Sequence, residues 1–310
     1  MNKDSRIYIA GHTGLVGSAL LRILNQAGYH QIITRTDQEL DLTSMGQVQA
    51  FFEKEKPEYV FCAAGRVGGI MANKTYPADF IYTNLQIQNN LIHQSYVSGV
   101  KRLMYFGSSC IYPKLSEQPI KESYLLTGPL EETNEAYAVA KIAGVKMCES
   151  YNRQYGTQFV VAIPNNLYGM NDNFHPENSH VVAALLRRFH EAKKEARDEV
   201  VLWGTGTPRR EFLYVDDFAK ACLFLIDNYE ENRPIHLGWG SDISIRELAE
   251  VIKEVVGFSG QIEFDSNKPD GMPKKLLDSS RIHQMGWKPE TSLQQGLQTT
   301  YSWFLKQFNA

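Results

Sequence analysis

Residues 6–17 read Arg6-Ile7-Tyr8-Ile9-Ala10-Gly11-His12-Thr13-Gly14-Leu15-Val16-Gly17. A short apolar strand runs into a glycine turn, and residues 15–27 then have helical periodicity up to Gly28. Gly11 permits the turn, Gly14 lets the backbone approach a pyrophosphate, and Gly17 allows close helix–strand packing. The stretch predicts a dinucleotide-binding site at a helix N-terminus, with residues 11–17 as contacts. A tight strand–helix turn without a ligand is the alternative, because the spacing is GxxGxxG rather than GxGxxG.

Strand-like and helix-like segments alternate over the first half of the chain. Strands are predicted over 6–10, 31–34, 59–63, 103–107 and 159–163, and helices over 15–27, 43–55, 78–98 and 135–155. Alternation of this kind predicts an α/β fold with a Rossmann-type, doubly wound parallel sheet.

Beyond residue 165 the pattern is looser. Helices are predicted over 181–194, 244–256 and 293–308, and short strands over 200–202, 211–215 and 235–237. We therefore expect residues 1–165 plus about 212–237 to form a dinucleotide-binding domain. Residues from about 166–211 plus 238–310 are expected to form a smaller C-terminal α/β substrate-binding domain.

The composition excludes several classes of protein. The chain has 310 residues, 43% of them hydrophobic, and a net charge of -3, which argues against nucleic-acid or anionic-membrane partners. It contains no apolar run of about 20 residues and no apolar signal segment, so we expect a cytoplasmic protein without a membrane span. The four cysteines show no CxxC or zinc spacing, which predicts free thiols and no metal site.

Tyr137 and Lys141 lie four residues apart in a predicted helix and therefore share one face. A cation there favours the phenolate and is expected to pull the tyrosine pKa toward neutrality. Such a tyrosine exchanges a proton with a carbonyl oxygen, and the glycine loop indicates that hydride exchange with a nicotinamide accompanies it. Ser108, at the end of the fourth strand, is a candidate partner for that oxygen, although a lone serine there is more often a turn former.

The choice between NAD and NADP depends on residues after the second predicted strand. Asp37 is of the type that binds ribose hydroxyls, whereas Arg35 is of the type that pairs with a 2′-phosphate. Asp41 and Leu42 are candidate contacts on the adenine side, or equally a capping region before Thr43. The residues alone leave this choice open.

Taken together, GxxGxxG, the strand-end Ser108 and YxxxK resemble the extended short-chain dehydrogenase/reductase family. Six blocks narrow the resemblance to its GDP-L-fucose synthase branch and extend it over about residues 6–307. These blocks are Val67-Gly68-Gly69-Ile70, Thr75-Tyr76-Pro77-Ala78-Asp79-Phe80-Ile81, Gly107-Ser108-Ser109-Cys110-Ile111-Tyr112-Pro113, Asn173-Phe174-His175-Pro176, Ser179-His180-Val181 and Lys268-Pro269-Asp270-Gly271.

The resemblance implies a 3,5-epimerase and a 4-reductase in one pocket, acting on GDP-4-keto-6-deoxy-D-mannose with NADPH. It assigns the base to Cys110 and the acid to His180. Taken singly, a cysteine is more often a buried apolar residue and a loop histidine a surface or capping residue. A thiol nevertheless titrates near ~8.5, so it needs little perturbation to act as a base near neutrality.

The resemblance also implies the remaining contacts. Tyr137 protonates the C4 oxygen, and Lys141 holds the nicotinamide ribose and keeps Tyr137 acidic. Further cofactor contacts are Ala63, Ala64, Pro164, Asn166, Leu167 and His180. Contacts to the GDP-sugar are Arg188, Trp203, Arg210, Asp270 and Lys275. A homodimer formed by the two long helices, 78–98 and 134–155, is implied as well.

The chain departs from the family pattern at the cofactor. NADPH-dependent members often carry Arg at the positions of Thr13 and Asp37, and here neither is Arg. A carboxylate at residue 37 repels a 2′-phosphate, so we predict weakened NADP preference, with dual use or NADH preference.

Other functions remain as alternatives from the sequence. The same chemistry on a related GDP-4-keto sugar, leading to GDP-colitose or a GDP-deoxyheptose, is the nearest. A sugar-nucleotide dehydratase or 4-epimerase is disfavoured, because dehydratases usually carry an Asp-Glu pair where Ser109 and Cys110 stand. A catalytically silent dinucleotide sensor is disfavoured because the full catalytic set is present.

Overall fold

The computed structural model describes residues 1–176, 179–268 and 270–308. Pro269, in one of the sequence blocks above, lies outside the described residues. The strands are β1 (Ile7–Ala10), β2 (Ile32–Arg35), β3 (Tyr59–Cys62), β4 (Arg102–Phe106), β5 (Phe159–Pro164), β6 (Asn166–Tyr168), β7 (Glu199–Trp203), β8 (Arg209–Arg210), β9 (Phe212–Tyr214), β10 (Ile235–Leu237), β11 (Ile243–Ser244), β12 (Gln261–Asp265) and β13 (Lys274–Lys275). The α-helices are α1 (Leu15–Gln26), α2 (Met45–Glu55), α3 (Ile70–Thr75), α4 (Pro77–Val97), α5 (Glu135–Tyr155), α6 (Val181–Lys194), α7 (Val215–Asn228), α8 (Ile245–Val256), α9 (Ser280–Gln284) and α10 (Leu293–Phe308).

A six-stranded sheet in the order β10-β5-β4-β3-β1-β2 forms the centre of the molecule. Every neighbouring pair in it is parallel, which confirms the doubly wound α/β fold predicted from the alternation of elements. The strand order reverses between β1 and β3. Ligands of open α/β sheets bind in the crevice at the carboxyl ends of the strands beside such a reversal.

Helices cover both faces of this sheet. Helices α1 and α7 pack on one face, where Leu20 and Phe218 are fully buried. Helices α2, α4 and α5 cover the other face, around buried residues such as Phe52 and Leu91. Strands buried on both sides require apolar residues at nearly every position, and Ile7–Ala10 has that pattern.

The C-terminal part has a hydrophobic core of its own. Helices α6, α8 and α10 surround Phe189, Leu248 and Phe304, beside three small sheets. Helix α8 begins with a capping box, in which Ser244 and Glu247 satisfy each other's backbone NH groups. The sequence predicted a start at Ser244, and the cap accounts for it.

Two differences from the predicted elements lie between residues 166 and 228. The predicted strand over 211–215 ends at Tyr214, and Val215 begins α7 instead. Strand β9 does not join the central sheet but pairs with β6, which directly follows β5. The polar segment predicted as a loop over 168–179 is free of helix and strand in its described part beyond Tyr168, and Glu177 and Asn178 lie outside that part.

Candidate active site

The glycine loop is shaped by contacts that exclude side chains. A Cβ on Gly17 would lie 2.1 Å from the carbonyl oxygen of Gly11, so helix α1 starts as close to the loop as backbones allow. Gly11 has a φ of +80°, and a Cβ there would lie 2.7 Å from the backbone of Ala64. Glycine is therefore required at both positions.

The start of α1 fits a pyrophosphate. Gly14 is the N-cap and makes no side-chain capping bond, and the first turn carries no acidic residue. Its NH groups and positive potential are therefore available to an anion. The Nδ1 of His12, in the same loop, is buried without a hydrogen-bond partner. Residues 11–17 and Ala64 thus form a cradle that suits a dinucleotide, and Ala63 adjoins it after β3.

The far end of this crevice is rich in carboxylates. Arg35 pairs with Glu55 across 2.6 Å, while Asp37 is exposed and accepts a bond from the neighbouring Gln38 backbone. Hydrogen bonds from Thr36 are the main cause of the lowered pKa of Glu39, and the nearby charges of Arg35 and His12 lower it further. Glu39 was not among the site residues predicted from the sequence. This end offers little free positive charge to a 2′-phosphate.

Asp41 has a local structural role. Its carboxylate accepts bonds from the backbone and hydroxyl of Thr43, at 2.9 and 2.7 Å, and these bonds lower its pKa. The carbonyl of Leu42 accepts from Asn90 on α4. These contacts agree with the alternative in which Asp41 and Leu42 form a capping region before Thr43. An adenine contact by the two residues stays a prediction.

The turn after β4 brings Ser108 and Cys110 together. Ser108 caps a 3-10 helix spanning Ser109–Ile111, and the Sγ of Cys110 donates to the Oγ of Ser108 across 3.2 Å. The hydroxyl of Ser108 lies near enough to Tyr137 to lower the pKa of its phenol, and Tyr137 lies edge-on against Phe80 with ring centroids 6.2 Å apart. Thiol, hydroxyl and phenol thus lie close together after β4.

Lys141 lies beneath this group on the same helix. Its side chain is 6% exposed, and its Nζ donates to the carbonyl of Phe106 at 3.0 Å and lies 5.8 Å from the ring centre of Tyr137. Burial lowers the pKa of Lys141 to about 8, against the opposing influence of Cys110 and Cys62.

The pKa of Tyr137 differs from the sequence prediction. Burial raises the pKa of Tyr137 above its ordinary value, and the nearby Cys110 adds to that rise, while the hydroxyl of Ser108 opposes it. The prediction of a tyrosine pulled toward neutrality by Lys141 is wrong for this arrangement, because burial removes water that would solvate the phenolate. Tyr137 is therefore a phenol at neutral pH, suited to donating its proton to an oxygen.

His180 stands apart from that group in its contacts. It is the N-cap of α6, and its Nδ1 lies 3.9 Å from a carboxylate oxygen of Asp172. Its ion-pair partner among the described residues is thus Asp172 rather than Cys110 or Tyr137. Asp172 is a residue that the sequence analysis missed, because an aspartate in a polar loop carries no motif.

Three cations predicted to contact substrate lack carboxylate partners in the part of the chain described. Arg210 donates to the carbonyls of Arg209 and Met272, and Arg188 donates to that of Val201. Burial lowers the pKa of all three cations, and Lys275 is near enough to Arg210 and Cys110 to respond to both charges. Partly buried cations without a carboxylate partner among the described residues are suited to binding an anion.

Arg188, Trp203 and Asp270 lie around the edge strand β7. Arg188 lines a cleft of about 810 Å³, and Trp203 is 63% exposed at the end of β7. Asp270 binds the backbone and hydroxyl of Thr205, so it shapes the loop after β7. A Cβ on Gly271 would lie 3.0 Å from Arg210, which places this group beside the Arg210–Lys275 pair.

The residues after β5 are joined to a buried carboxylate. Asn166, on β6 with Leu167, donates to the carbonyl of Glu211, and Asn165 donates to the Glu211 carboxylate at 2.6 Å. Glu211 is fully buried, and burial raises its pKa despite bonds from Asn165 and three backbone NH groups. Pro164 ends β5 opposite Leu237. The strand predicted over 211–215 starts at Glu211 and does not indicate its burial beside Asn165.

The described residues contain no group of His, Cys, Asp and Glu that could hold a metal ion. Within the same residues, none of the helices is long and apolar enough to cross a membrane.

The fold and site define a class of nucleotide-dependent enzyme, and comparison with known proteins gives the family. The model of the NAD dependent epimerase/dehydratase family matches residues 7–238, and the chain belongs to this family. The chain is 58% identical over 306 residues to the putative GDP-L-fucose synthase 2 of Arabidopsis thaliana, covering 99% of this chain and 93% of the relative. It is 54% identical over 310 residues to the GDP-L-fucose synthase of Escherichia coli (strain K12), covering 97% of each.

A solved structure is similar over the whole chain. The GDP-mannoheptose C4 reductase from Campylobacter jejuni with NADP bound has a TM-score of 0.92 and 43% identity, covering 98% of this chain and 99% of that one. The resemblance to GDP-L-fucose synthases that the sequence motifs predicted is confirmed by these similarities.

Proposed function

We propose that this protein is a bifunctional enzyme that converts GDP-4-keto-6-deoxy-D-mannose to GDP-L-fucose, by 3,5-epimerisation and NADPH-dependent 4-reduction. The observation that carries the proposal is the cluster of Ser108, Cys110 and Tyr137, with the buried Lys141 on the same helix as Tyr137 and with Lys275 near Cys110. Relatives at 54% and 58% identity are named for this activity, and a solved relative holds NADP.

The epimerisation uses the acidity that a 4-keto group gives to the hydrogens on C3 and C5. The thiolate form of Cys110 takes each proton and becomes a thiol, and the enolate oxygen is held by Ser108 and Tyr137. His180 returns a proton to the opposite face of the ring. Two proton carriers on opposite faces are needed because one group returning its own proton would restore the starting configuration.

The reduction uses the same oxygen contacts. When bound along residues 11–17, the nicotinamide cofactor supplies the hydride that reduces C4. Tyr137 then donates its proton to the C4 oxygen, and Lys141 stabilises the resulting phenolate. The buried phenol described above holds that proton until charge develops on the oxygen.

The nucleotide part of the substrate carries two phosphates. Arg188, Arg210 and Lys275 supply cations for them, and Trp203 supplies an exposed aromatic face. Asp270 holds the loop beside Trp203. Residues 1–165 with about 212–237 hold the cofactor in this proposal, and about 166–211 with 238–310 hold the GDP-sugar.

A homodimer in the cytoplasm is the proposed form of the enzyme. Helices α4 and α5 pack together and carry exposed apolar side chains, among them Tyr82 at 63%, Val139 at 40% and Tyr155 at 47% exposure. Apolar side chains exposed on two adjoining helices suit an interface. Light scattering on the wild type and a Tyr82→Glu, Val139→Lys variant tests this, and a wild-type monomer contradicts it.

The decisive experiment follows both reactions in heavy water. Wild-type protein with GDP-4-keto-6-deoxy-D-mannose and NADPH is expected to lose absorbance at the nicotinamide band and to give deuterium at C3 and C5 by NMR. Cys110→Ser should block deuterium entry while direct C4 reduction persists, and Tyr137→Phe should stop reduction. Tyr151→Phe, on the same helix and bonded to His93 instead, is the control. Wild-type deuterium entry in Cys110→Ser removes the base role.

A reductase of a GDP-linked heptose is the second candidate, favoured by the 43% identical GDP-mannoheptose C4 reductase. A panel of GDP-4-keto sugars, including precursors of GDP-colitose, distinguishes the two by kcat/KM.

A further inference from the structure

The carboxylate of Asp172 is placed beside the imidazole of His180 on a different part of the chain. The side chain of Asp172 is 5% exposed, and its Oδ1 lies 3.9 Å from Nδ1 of His180. The histidine itself is half-exposed at the start of α6. An almost completely buried carboxylate therefore faces an imidazole that remains accessible.

The hydrogen bonds of Asp172 leave one oxygen unused. Oδ1 accepts from the backbone NH of Asn173 at 2.8 Å, whereas Oδ2 is buried and has no hydrogen-bond partner among the described residues. A buried carboxylate with an unsatisfied oxygen is costly unless a positive charge lies near it. His180 is the group that the structure describes in position to carry that charge.

The backbone before Asp172 is fixed in an uncommon conformation. Asn171 has a φ of +62°, a left-handed conformation that asparagine tolerates better than most residues. Its Nδ2 donates to the Oγ of Ser18 at 3.0 Å, which ties the loop to the first turns of α1. Asp172 is therefore anchored to the helix that begins the proposed cofactor site.

We propose that Asp172 is a positioning residue for His180, holding the imidazole through Nδ1 and keeping it charged, so that Nε2 is presented as the proton donor. The inference rests on the proposed function, in which His180 is the acid of the epimerisation. Asp172 does not touch the substrate and acts through the histidine.

The electrostatics agree with this geometry. Asp172 raises the pKa of His180 above its ordinary value, and the partial loss of hydration at the half-exposed imidazole opposes that rise. The N-terminus of α6 also opposes it, because its positive potential disfavours a cation. Asp172 is the charged side chain that acts on His180 among the described residues. A raised pKa keeps His180 protonated to higher pH, as an acid requires.

The test compares wild type with Asp172→Asn, which keeps the size of the side chain and an acceptor for Asn173 but removes the charge. Deuterium entry at C3 and C5 is measured from about pH 6 to about pH 9. The ratio of the wild-type to the variant rate of deuterium entry should rise with pH by about threefold or more. The reason is that His180 loses its proton at a lower pH in the variant than in the wild type. Reduction of a sugar already epimerised should change little. A ratio that does not vary with pH overturns the proposal.

Two controls separate positioning from a structural effect. Asp172→Glu restores the charge and should recover the wild-type pH profile in part, while the exposed Asp4→Asn should leave the profile unchanged. In a His180→Gln background, Asp172→Asn should add no further loss. An additional loss there shows that Asp172 acts by another route and overturns the proposal.

An NMR titration of ring-labelled histidine tests the proposal without substrate, because it measures the pKa of His180 directly. The His180 signal is assigned by comparison with His180→Gln. The wild-type pKa of His180 should lie above 6.5 and fall in Asp172→Asn. A wild-type value at or below 6.5 overturns the proposal even if the variant fails to fold. If the titration succeeds but no GDP-4-keto sugar is turned over, the proposed function fails, whereas the influence of Asp172 on the charge of His180 stands.

Discussion

Two hydrogen bonds join Cys110 to Ser108, because the backbone NH and the thiol of Cys110 both donate to the serine Oγ, at 3.4 and 3.2 Å. The same hydroxyl lies near enough to the phenol of Tyr137 to lower its pKa. The proposed base of the epimerisation and the proposed acid of the reduction are therefore linked through a single hydroxyl. A 3-10 turn directly after β4 makes this possible, because it returns the chain on itself at the carboxyl end of the strand.

Ser108→Ala should consequently slow both the epimerisation and the C4 reduction, whereas Cys110→Ser should slow mainly the epimerisation. We expect a fall of about 10²-fold or more in kcat for deuterium entry and for C4 reduction, since one donor to a developing oxyanion is lost. Stopped-flow reduction and NMR exchange measure the two steps. The neighbouring Ser109→Ala is the control, because Ser109 bonds Asn165 instead. A loss confined to one reaction contradicts the shared role.

The buried ammonium of Lys141 predicts a pH-dependent stability. Its pKa of about 8 lies below the 10.5 of an unfolded lysine, so the unfolded chain binds more protons between these values. The penalty of burying the charge is full below pH 8 and is relieved as pH rises toward 10.5. The free energy of unfolding of wild type relative to Lys141→Met should therefore rise over that window, by up to about 3 kcal/mol. Urea unfolding at several pH values measures it, and a constant difference contradicts it.

The crevice around Arg35 predicts how cofactor preference is set. Arg35 is engaged by Glu55, and Asp37 and Glu39 place carboxylates nearby. Thr13→Arg with Asp37→Arg should raise kcat/KM for NADPH relative to NADH by about tenfold, since a repelling charge is replaced by attracting ones. Steady-state kinetics with both cofactors measure this ratio. A wild type that already strongly prefers NADPH refutes the weakened preference predicted from the sequence.

Arg210 and Arg187 form a matched pair for testing the anion site. Within the described part of the chain, the side chain of Arg210 donates to backbone carbonyls, while Arg187 pairs with Glu191 at 2.6 Å. Arg210→Met should raise KM for the GDP-sugar by about 10- to 100-fold with a smaller change in kcat, because a charge-assisted bond to phosphate is lost in ground and transition states alike. Arg187→Met should change KM much less. Equal effects of the two variants contradict the assignment.

The sequence predicted the features whose causes are local, and missed those created by packing. The turn at Gly11 and the shared face of Tyr137 and Lys141 follow from backbone geometry alone. The burial of Asp172 depends on Asn171 reaching Ser18, more than a hundred residues earlier, and no pattern records such a contact. The raised pKa of Tyr137 has the same origin, because burial decides its sign.

Helix α7 and Glu211 were missed for a related reason. Val215–Asn228 is apolar on the side that covers the sheet and follows a strand without an intervening turn, so the predicted strand was extended into the helix. Glu211 lies between Arg209-Arg210 and Phe212-Leu213-Tyr214, and a stretch with arginines followed by aromatic residues resembles a binding loop. Its position behind Asn165 results from the pairing of β6 with β9, which joins residues far apart in the chain.

Gly17 and Gly46 offer a final contrast, between a glycine that the site requires and one that it does not. A Cβ on Gly17 would lie 2.1 Å from the carbonyl of Gly11, whereas a Cβ on Gly46, in α2, would meet nothing within 4 Å. Gly17→Ala must push α1 away from the loop, so we expect a loss of more than about 2 kcal/mol in stability and loss of dinucleotide binding. Gly46→Ala should instead stabilise by about 0.5–1 kcal/mol, because alanine favours the helix. Urea unfolding and titration with NADPH measure both. If Gly17→Ala binds NADPH as wild type does, the pyrophosphate does not lie at the start of α1.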